Sequence, residues 1–352
     1  MLFRSDQLTG LLTGLLQNGS LDQVLGLVTG LLDSGAVADV TTVLQGVLGS
    51  LLDGGLLQDA TGLLQGLLDA DALDQVLGLV TGLLDAGNLD QLTGLLTGLL
   101  QNGSLDQVLG LVTGLLDTGA VGDVTTVLQG VLGSLLDGGL LQDATGLLQG
   151  LLDAGALTQV TALIGGLLTV VSPSDVTALV GALVTDLLAA GSIQQASSLL
   201  QGLLSGGLVT QSVTVVKSLL AAGQIAAVVD VLSTLVAEGR YAKVVSLVDG
   251  LIDSGAARAA NRLARGLAAD LVAAGSIIQT STLLQRLLAQ DLTSPVKSVV
   301  RSLVKGGQLR AVVTILNRLV AAGFRPEVRA IVRSLVRSGV PELRPYLRTL
   351  RR

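Results

Sequence analysis

Ser20–Gly35, SLDQVLGLVTGLLDSG, is the stretch from which most of this 352-residue chain is built. At about 100° per residue, Leu21, Val24, Leu25, Leu27, Val28, Leu31 and Leu32 fall on one face of a helical wheel. Asp22, Gln23, Gly26, Thr29, Gly30, Asp33 and Ser34 fall on the other. That i, i+3, i+4, i+7 spacing predicts an amphipathic helix. Ser20 and Gln23 stand at the spacing of a capping box, in which the hydroxyl accepts from a first-turn N–H and the amide reaches back. Asp22 lies in the first turn, where the helix dipole favours negative charge. Gly35 suits the left-handed position that ends a helix. A helix of about 13 residues is about 20 Å long. It is too short to span a bilayer and marginal alone in water, so its apolar face must be buried against neighbours.

The same signals recur along the chain. Helix ends are expected at Gly19, Gly35, Gly55, Asp71, Gly87, Gly103, Gly119, Gly139 and Gly155. After a less regular unit they continue at Gly191, Gly207, Gly223, Gly239, Gly255, Gly275, Asp291, Gly307, Gly323 and Gly339. The usual step is 16 residues, and four units are 20 long: 36–55, 120–139, 172–191 and 256–275. Four added residues are about one turn, which keeps the apolar face nearly in phase. A larger period is superimposed: 6–73 matches 90–157 at 65 of 68 positions, differing only at Ser34/Thr118, Ala38/Gly122 and Asp71/Gly155.

Short antiparallel helices joined by tight turns stack as αα-hairpins and share a core with their neighbours. The expected fold is all-α, an α-solenoid of about 21 short helices. Residues 1–171 form an acidic Gly/Leu-rich part and 172–352 a diverged part that grows basic toward its end, the two making one continuous solenoid. The layout resembles HEAT, armadillo and TPR solenoids in principle. Its units are shorter, and none of those consensus patterns is present.

Composition narrows the chemistry. There is no Cys and no His, and aromatic residues are 1% of the chain. Disulfides are excluded, the commonest acid–base residue is missing, and the core must be Leu, Val, Ala and Ile. Mean hydropathy is +0.71, yet Gly and Asp interrupt every apolar run. The most apolar stretch, Leu157–Val171, is short and broken by Gly165–Gly166. No transmembrane span is expected. MLFRSDQ lacks an apolar signal-peptide core, which points to the cytoplasm unless a leader has been removed.

Eighteen glycines sit inside the first nine predicted helices, mostly as Gly-xxx-Gly pairs such as Gly26/Gly30, Gly62/Gly66 and Gly110/Gly114. Each costs about 0.8–1 kcal/mol relative to Ala, roughly 14–18 kcal/mol together. That is comparable with the net stability of an ordinary domain. They lie on the polar side of the wheel, so filling the core is not their purpose. Small residues four apart allow close approach of another backbone. The glycine face is therefore expected to pack against a neighbouring turn of the solenoid or against another molecule.

Charge is sorted along the chain. Residues 1–171 hold 17 Asp, no Glu and one basic residue, Arg4, for a net −16. Residues 172–352 hold 20 Lys+Arg and 10 Asp+Glu, for a net +10. Lys297, Arg301 and Lys305 share one helix face, and Arg329, Arg333 and Arg337 take the equivalent places 32 residues later. In a two-layer solenoid alternate helices are neighbours, so these stripes adjoin, with Arg258, Arg262 and Arg265 one pair earlier. Arg344 and Arg348 carry the charge toward the C-terminus, where Arg351 and Arg352 follow. A contiguous cationic surface is predicted.

No nucleophile with a positioned base, phosphate-binding loop or dinucleotide fingerprint is present, so no enzyme, cofactor or catalytic residue is predicted. Asp33/Asp39, Asp53/Asp59, Asp117/Asp123, Asp137/Asp143 and the group Asp69, Asp71 and Asp74 resemble weak cation traps. No EF-hand spacing supports them, and no metal site is assigned. The roles left are structural: a scaffold that self-associates head-to-tail or laterally, with itself or another protein as partner. The alternatives are a basic surface for nucleic acid or another polyanion, and a coat that associates with lipid or another interface.

Overall fold

The structure, a computed structural model, describes residues 5–17, 21–33, 37–70, 72–119 and 121–350. These form twenty-one α-helices and no strand. The chain divides into two compact units, 1–179 and 180–352. The first contains α1 (Ser5–Gln17), α2 (Leu21–Asp33), α3 (Val37–Asp53), α4 (Leu57–Asp69), α5 (Leu73–Asp85), α6 (Leu89–Gln101), α7 (Leu105–Asp117), α8 (Val121–Asp137), α9 (Leu141–Asp153) and α10 (Leu157–Val170). The division falls within α11 (Pro173–Ala189). The second unit continues with α12 (Ile193–Gly206), α13 (Val209–Ala221), α14 (Ile225–Ala237), α15 (Tyr241–Asp253), α16 (Ala257–Ala273), α17 (Ile277–Ala289), α18 (Thr293–Lys305), α19 (Leu309–Ala321) and α20 (Arg325–Arg337). A 3-10 turn, Pro341–Leu343, leads into the short α21 (Arg344–Thr349).

Left-handed residues end the helices. Fifteen glycines from Gly55 to Gly339 have φ between +73° and +98°. Each stands at an expected helix end, whereas Gly19, Gly35 and Asp71 lie outside the described residues. Only glycine enters this region without a Cβ penalty. The one non-glycine residue there is Asp291, φ +55°, which takes the glycine's place after α17. The turn is closed by two backbone bonds. Leu56 N–H donates to Leu51 O at 2.8 Å and Gly55 N–H to Leu52 O at 3.0 Å. Such a pair satisfies carbonyls that the last helical turn leaves open.

Among α1–α10, and again among α12–α20, each helix packs against the next one and the next but one. Within each unit this makes a two-layer α-solenoid: consecutive helices are antiparallel, and alternate helices lie side by side in one layer. The core runs between the layers. In α7 it is Val108, Leu111, Val112 and Leu115. Leu105, Leu109 and Leu116, on the same apolar arc, are half-buried, and Leu105 and Leu109 face sideways onto Gly146 and Gly150 of α9. The four long units form 17-residue helices, α3, α8, α11 and α16, against the usual 13.

At Ser104, the repeat equivalent of Ser20, the capping box is not formed. Ser20 lies outside the described residues. Ser104 has φ −91°, ψ 44° and no side-chain cap bond. Its hydroxyl donates instead to Gln65 Oε1 of α4. Gln65 Nε2 in turn donates to Asp69 Oδ1 and to Gln107 Oε1, each at 2.9 Å. The turn is so short that the residue after the left-handed glycine is already the N-cap. At that ψ its side chain does not reach the first-turn N–H groups. The exception is α11, where Pro173 follows a longer approach: Asp175 N–H donates to Ser172 Oγ at 3.2 Å.

Candidate functional site

From Gly46 onward most helix-interior glycines receive a side chain from the neighbouring helix in the same layer. A Cβ on Gly94 of α6 would lie 2.9 Å from Leu57 Cδ2 of α4, and one on Gly98 would lie 2.9 Å from Thr61 Oγ1. Gly114 of α7 meets Leu77 of α5 at 2.9 Å, while Gly110 meets Leu73 at a relaxed 3.7 Å. Gly62 meets Leu21 at 3.0 Å, and Gly66 is overlain by Leu25 more closely still. Gly26 and Gly30 have no atom within 4 Å of a built Cβ. A receiver thus takes the side chain 37 positions earlier, or 41 where a 17-residue helix intervenes. The sideways-facing Leu, Thr and Gln side chains are the knobs, and the missing Cβ is the hole.

In the second unit the same register carries different chemistry. The receivers Ser298 and Ser302 on α18, Ser334 on α20 and Ser338 just after it are serines, and three of the four knobs 37 positions earlier, Arg265, Lys297 and Arg301, are basic. Arg301 of α18 donates from Nη2 to Ser338 Oγ, 37 positions on. Lys217 Nζ donates to Ser254 O, also 37 on, at 3.5 Å. Between α16 and α18 a groove of about 490 Å³ is lined by Arg265, Lys297, Arg301 and Lys305. Asn261, Ser294, Ser298 and Ser302 complete its walls. Asn261 Nδ2 donates to Ser294 Oγ at 3.3 Å across the two helices, and Arg265 Nε donates to Asn261 O at 3.2 Å. A groove of equal size between α4 and α6 is lined by Leu57, Gln58, Thr61, Gly94, Thr97 and Gly98, among others, with no charge.

The predicted cationic stripes fall on adjoining helices of one layer, α16, α18 and α20. Arg265, Lys297, Arg301 and Lys305 meet in one groove, with Arg329, Arg333 and Arg337 exposed on the next helix. Arg258 and Arg262 are exposed on α16 but do not line that groove. Arg344 and Arg348 are exposed on α21. Among the described residues none of these side chains is ion-paired, and the pair observed is Arg240–Glu238 at 3.1 Å. The serine floor was not anticipated from the sequence. Its signal is the 37-residue register, which puts Ser298 and Ser302 opposite Asn261 and Arg265.

Other predicted features take no part in this site. Among the described residues no three acidic side chains come together as a metal site. Asp71 lies outside those residues, as do the side chains of Asp33 and Asp39. No described helix is long and apolar enough to cross a membrane. Burial pushes the Tyr346 phenol above its ordinary range. Its hydroxyl donates to Asn317 Oδ1 at 3.0 Å and ties α21 to α19.

No known family and no curated protein matches the chain. Among solved structures it is similar to a circular tandem repeat protein with novel repeat topology and enhanced subunit contact surfaces. The identity is 16%, the match covers 96% of this chain and 73% of that one, and the TM-score is 0.23. It is also similar to the TPR domain of P58(IPK), at 13% identity over 95% of this chain and 99% of that one, with a TM-score of 0.18. At such scores no property of either protein passes to this chain.

Proposed function

We propose that the chain is a non-enzymatic helical-repeat scaffold whose C-terminal unit binds the phosphate backbone of nucleic acid. The observation that carries this reading is the column of basic side chains on α18 and α20, none of them paired with a carboxylate. Cations four residues apart rise about 6 Å along a helix, and neighbouring helices set the columns about 8–10 Å apart. Such a lattice neutralises phosphates and releases their counterions. Base identity plays little part, because no aromatic side chain lines the groove. Titration of a labelled oligonucleotide at two salt concentrations tests the reading. Affinity is expected to fall steeply with salt, with a slope of about −0.7 per neutralised phosphate for a single strand. The absence of binding at low salt refutes it.

A second reading, self-association, is favoured by the sorting of charge. The Asp residues of 1–171 have one basic residue among them, while 172–352 carries a net +10. Apposition of the acidic part of one copy with the basic part of the next is heterologous and propagates into filaments.

A further inference from the structure

We infer that the α16–α18 groove is the anchor of the cationic surface, holding a single nucleic-acid strand with its phosphates inward and its bases outward. This rests on the backbone-binding reading above and adds where and how the strand lies. Positive charge alone does not distinguish this groove, since α20 carries four cations to the three of α18. The floor does. Ser298 and Ser302 are half-buried between Lys297, Arg301 and Arg265, and their hydroxyls hold no partner among the described residues. A hydroxyl beside an ammonium or guanidinium adds a directed donor to a phosphate oxygen, which charge at long range does not supply. On α20 the places of Ser298 and Ser302 are taken by Ala330 and Ser334, so one of the two hydroxyls is lost. The hydroxyl of Ser338 is already engaged by Arg301. The α18–α20 side therefore offers attraction with fewer free donors.

The trough also selects by size. The groove is a surface trough of about 490 Å³ above the packed helices, so one strand's backbone can lie in it, whereas a duplex, wider than its own major groove of about 12 Å, rests on the ridges. From the ridges a duplex reaches Arg329 and Arg333 but not the serine floor. No aromatic ring lines the groove to stack a base, so the bases are left in solvent and sequence is not read.

Fluorescence anisotropy with short labelled oligo-dT, oligo-rU and a duplex of equal length tests this on the full chain. Wild type is expected to bind the two single strands equally and more tightly than the duplex. Ser298→Ala with Ser302→Ala is expected to weaken single-strand binding about tenfold, leaving the salt slope and duplex binding unchanged. Arg329→Gln with Arg333→Gln should weaken both and reduce the single-strand slope by about 1.4. Serine-to-alanine changes favour the helix, and circular dichroism melting verifies that the fold is kept. If the hydroxyl variant binds single strands like wild type, or if duplex binds as tightly as strand, this inference is overturned and the backbone-binding reading stands. A marked preference for one oligonucleotide overturns the base-outward placement. Failure of wild type to bind strand or duplex at low salt overturns both.

Discussion

A glycine inside a helix costs about 0.8–1 kcal/mol against alanine, and here that cost sits where a neighbour needs the space. Gly30 and Gly114 occupy the same place in identical 13-residue helices, LDQVLGLVTGLLD. Gly30 faces open space and Gly114 faces Leu77 at 2.9 Å. Gly30→Ala is expected to raise stability by about 0.8–1 kcal/mol. Gly114→Ala should gain less, because the end of Leu77 must move. Gly150 is tighter, with even the branch carbon of Leu109 at 3.0 Å from a built Cβ. Gly150→Ala is expected to cost about 1–3 kcal/mol through overpacking. Leu109→Ala in the same chain should restore most of that loss, as a coupling in a double-mutant cycle. Denaturant melts of the three glycine variants, of Leu109→Ala alone and of the double variant measure it, and equal gains at Gly30, Gly114 and Gly150 would remove the knob-and-hole account.

At the scale of the element, helix ends are set by backbone conformation more than by side-chain caps. Asp291 holds a left-handed conformation that costs a non-glycine residue about 1–2 kcal/mol. Asp291→Gly is therefore expected to stabilise the chain by up to that amount, read as a rise in melting temperature. Ser172 caps α11 through the Asp175 N–H, and Ser172→Ala should cost about 1 kcal/mol. Much of this was legible beforehand. The glycine spacing placed the helix ends, and the four 20-residue units emerged as helices one turn longer. The caps were misread at the repeated serine. A capping box is a local motif, whereas Ser104 answers to Gln65, 39 residues away. The split of the apolar arc into core positions and sideways knobs was equally hidden, since a helical wheel does not say which flank meets a neighbour.

For the whole molecule the decisive quantity is the charge distribution. A net −16 over 1–171 and +10 over 172–352 makes attraction between copies strongest at low ionic strength. Light scattering is expected to show association near 0.01 M salt, where charges interact over about 30 Å, and dispersal near 1 M, where they interact over about 3 Å. A monomer at every salt concentration would remove the self-association reading without touching nucleic-acid binding. Of the candidate site, the basic stripes were visible as residues four and thirty-two apart. The groove was not, because it depends on which flank of α16 faces α18, and that contact brings in Arg265 and leaves out Arg262.

By itself the sequence determined the helices, their lengths, the left-handed glycines that end them and the segregation of charge. Each of these depends on residues within a turn or two, or on composition. Tertiary structure alone decided what each face meets. Leu27 and Leu111 stand in identical helices of the duplicated block, yet Leu27 is 49% exposed and Leu111 fully buried. Leu11 and Leu95, in the other duplicated pair, are 57% exposed and fully buried. The local code is the same in both copies. α4 and α5 cover this flank on α6 and α7, and no described helix does so on α1 and α2. Burial is a property of the pair of surfaces that meet, and one surface cannot specify it alone.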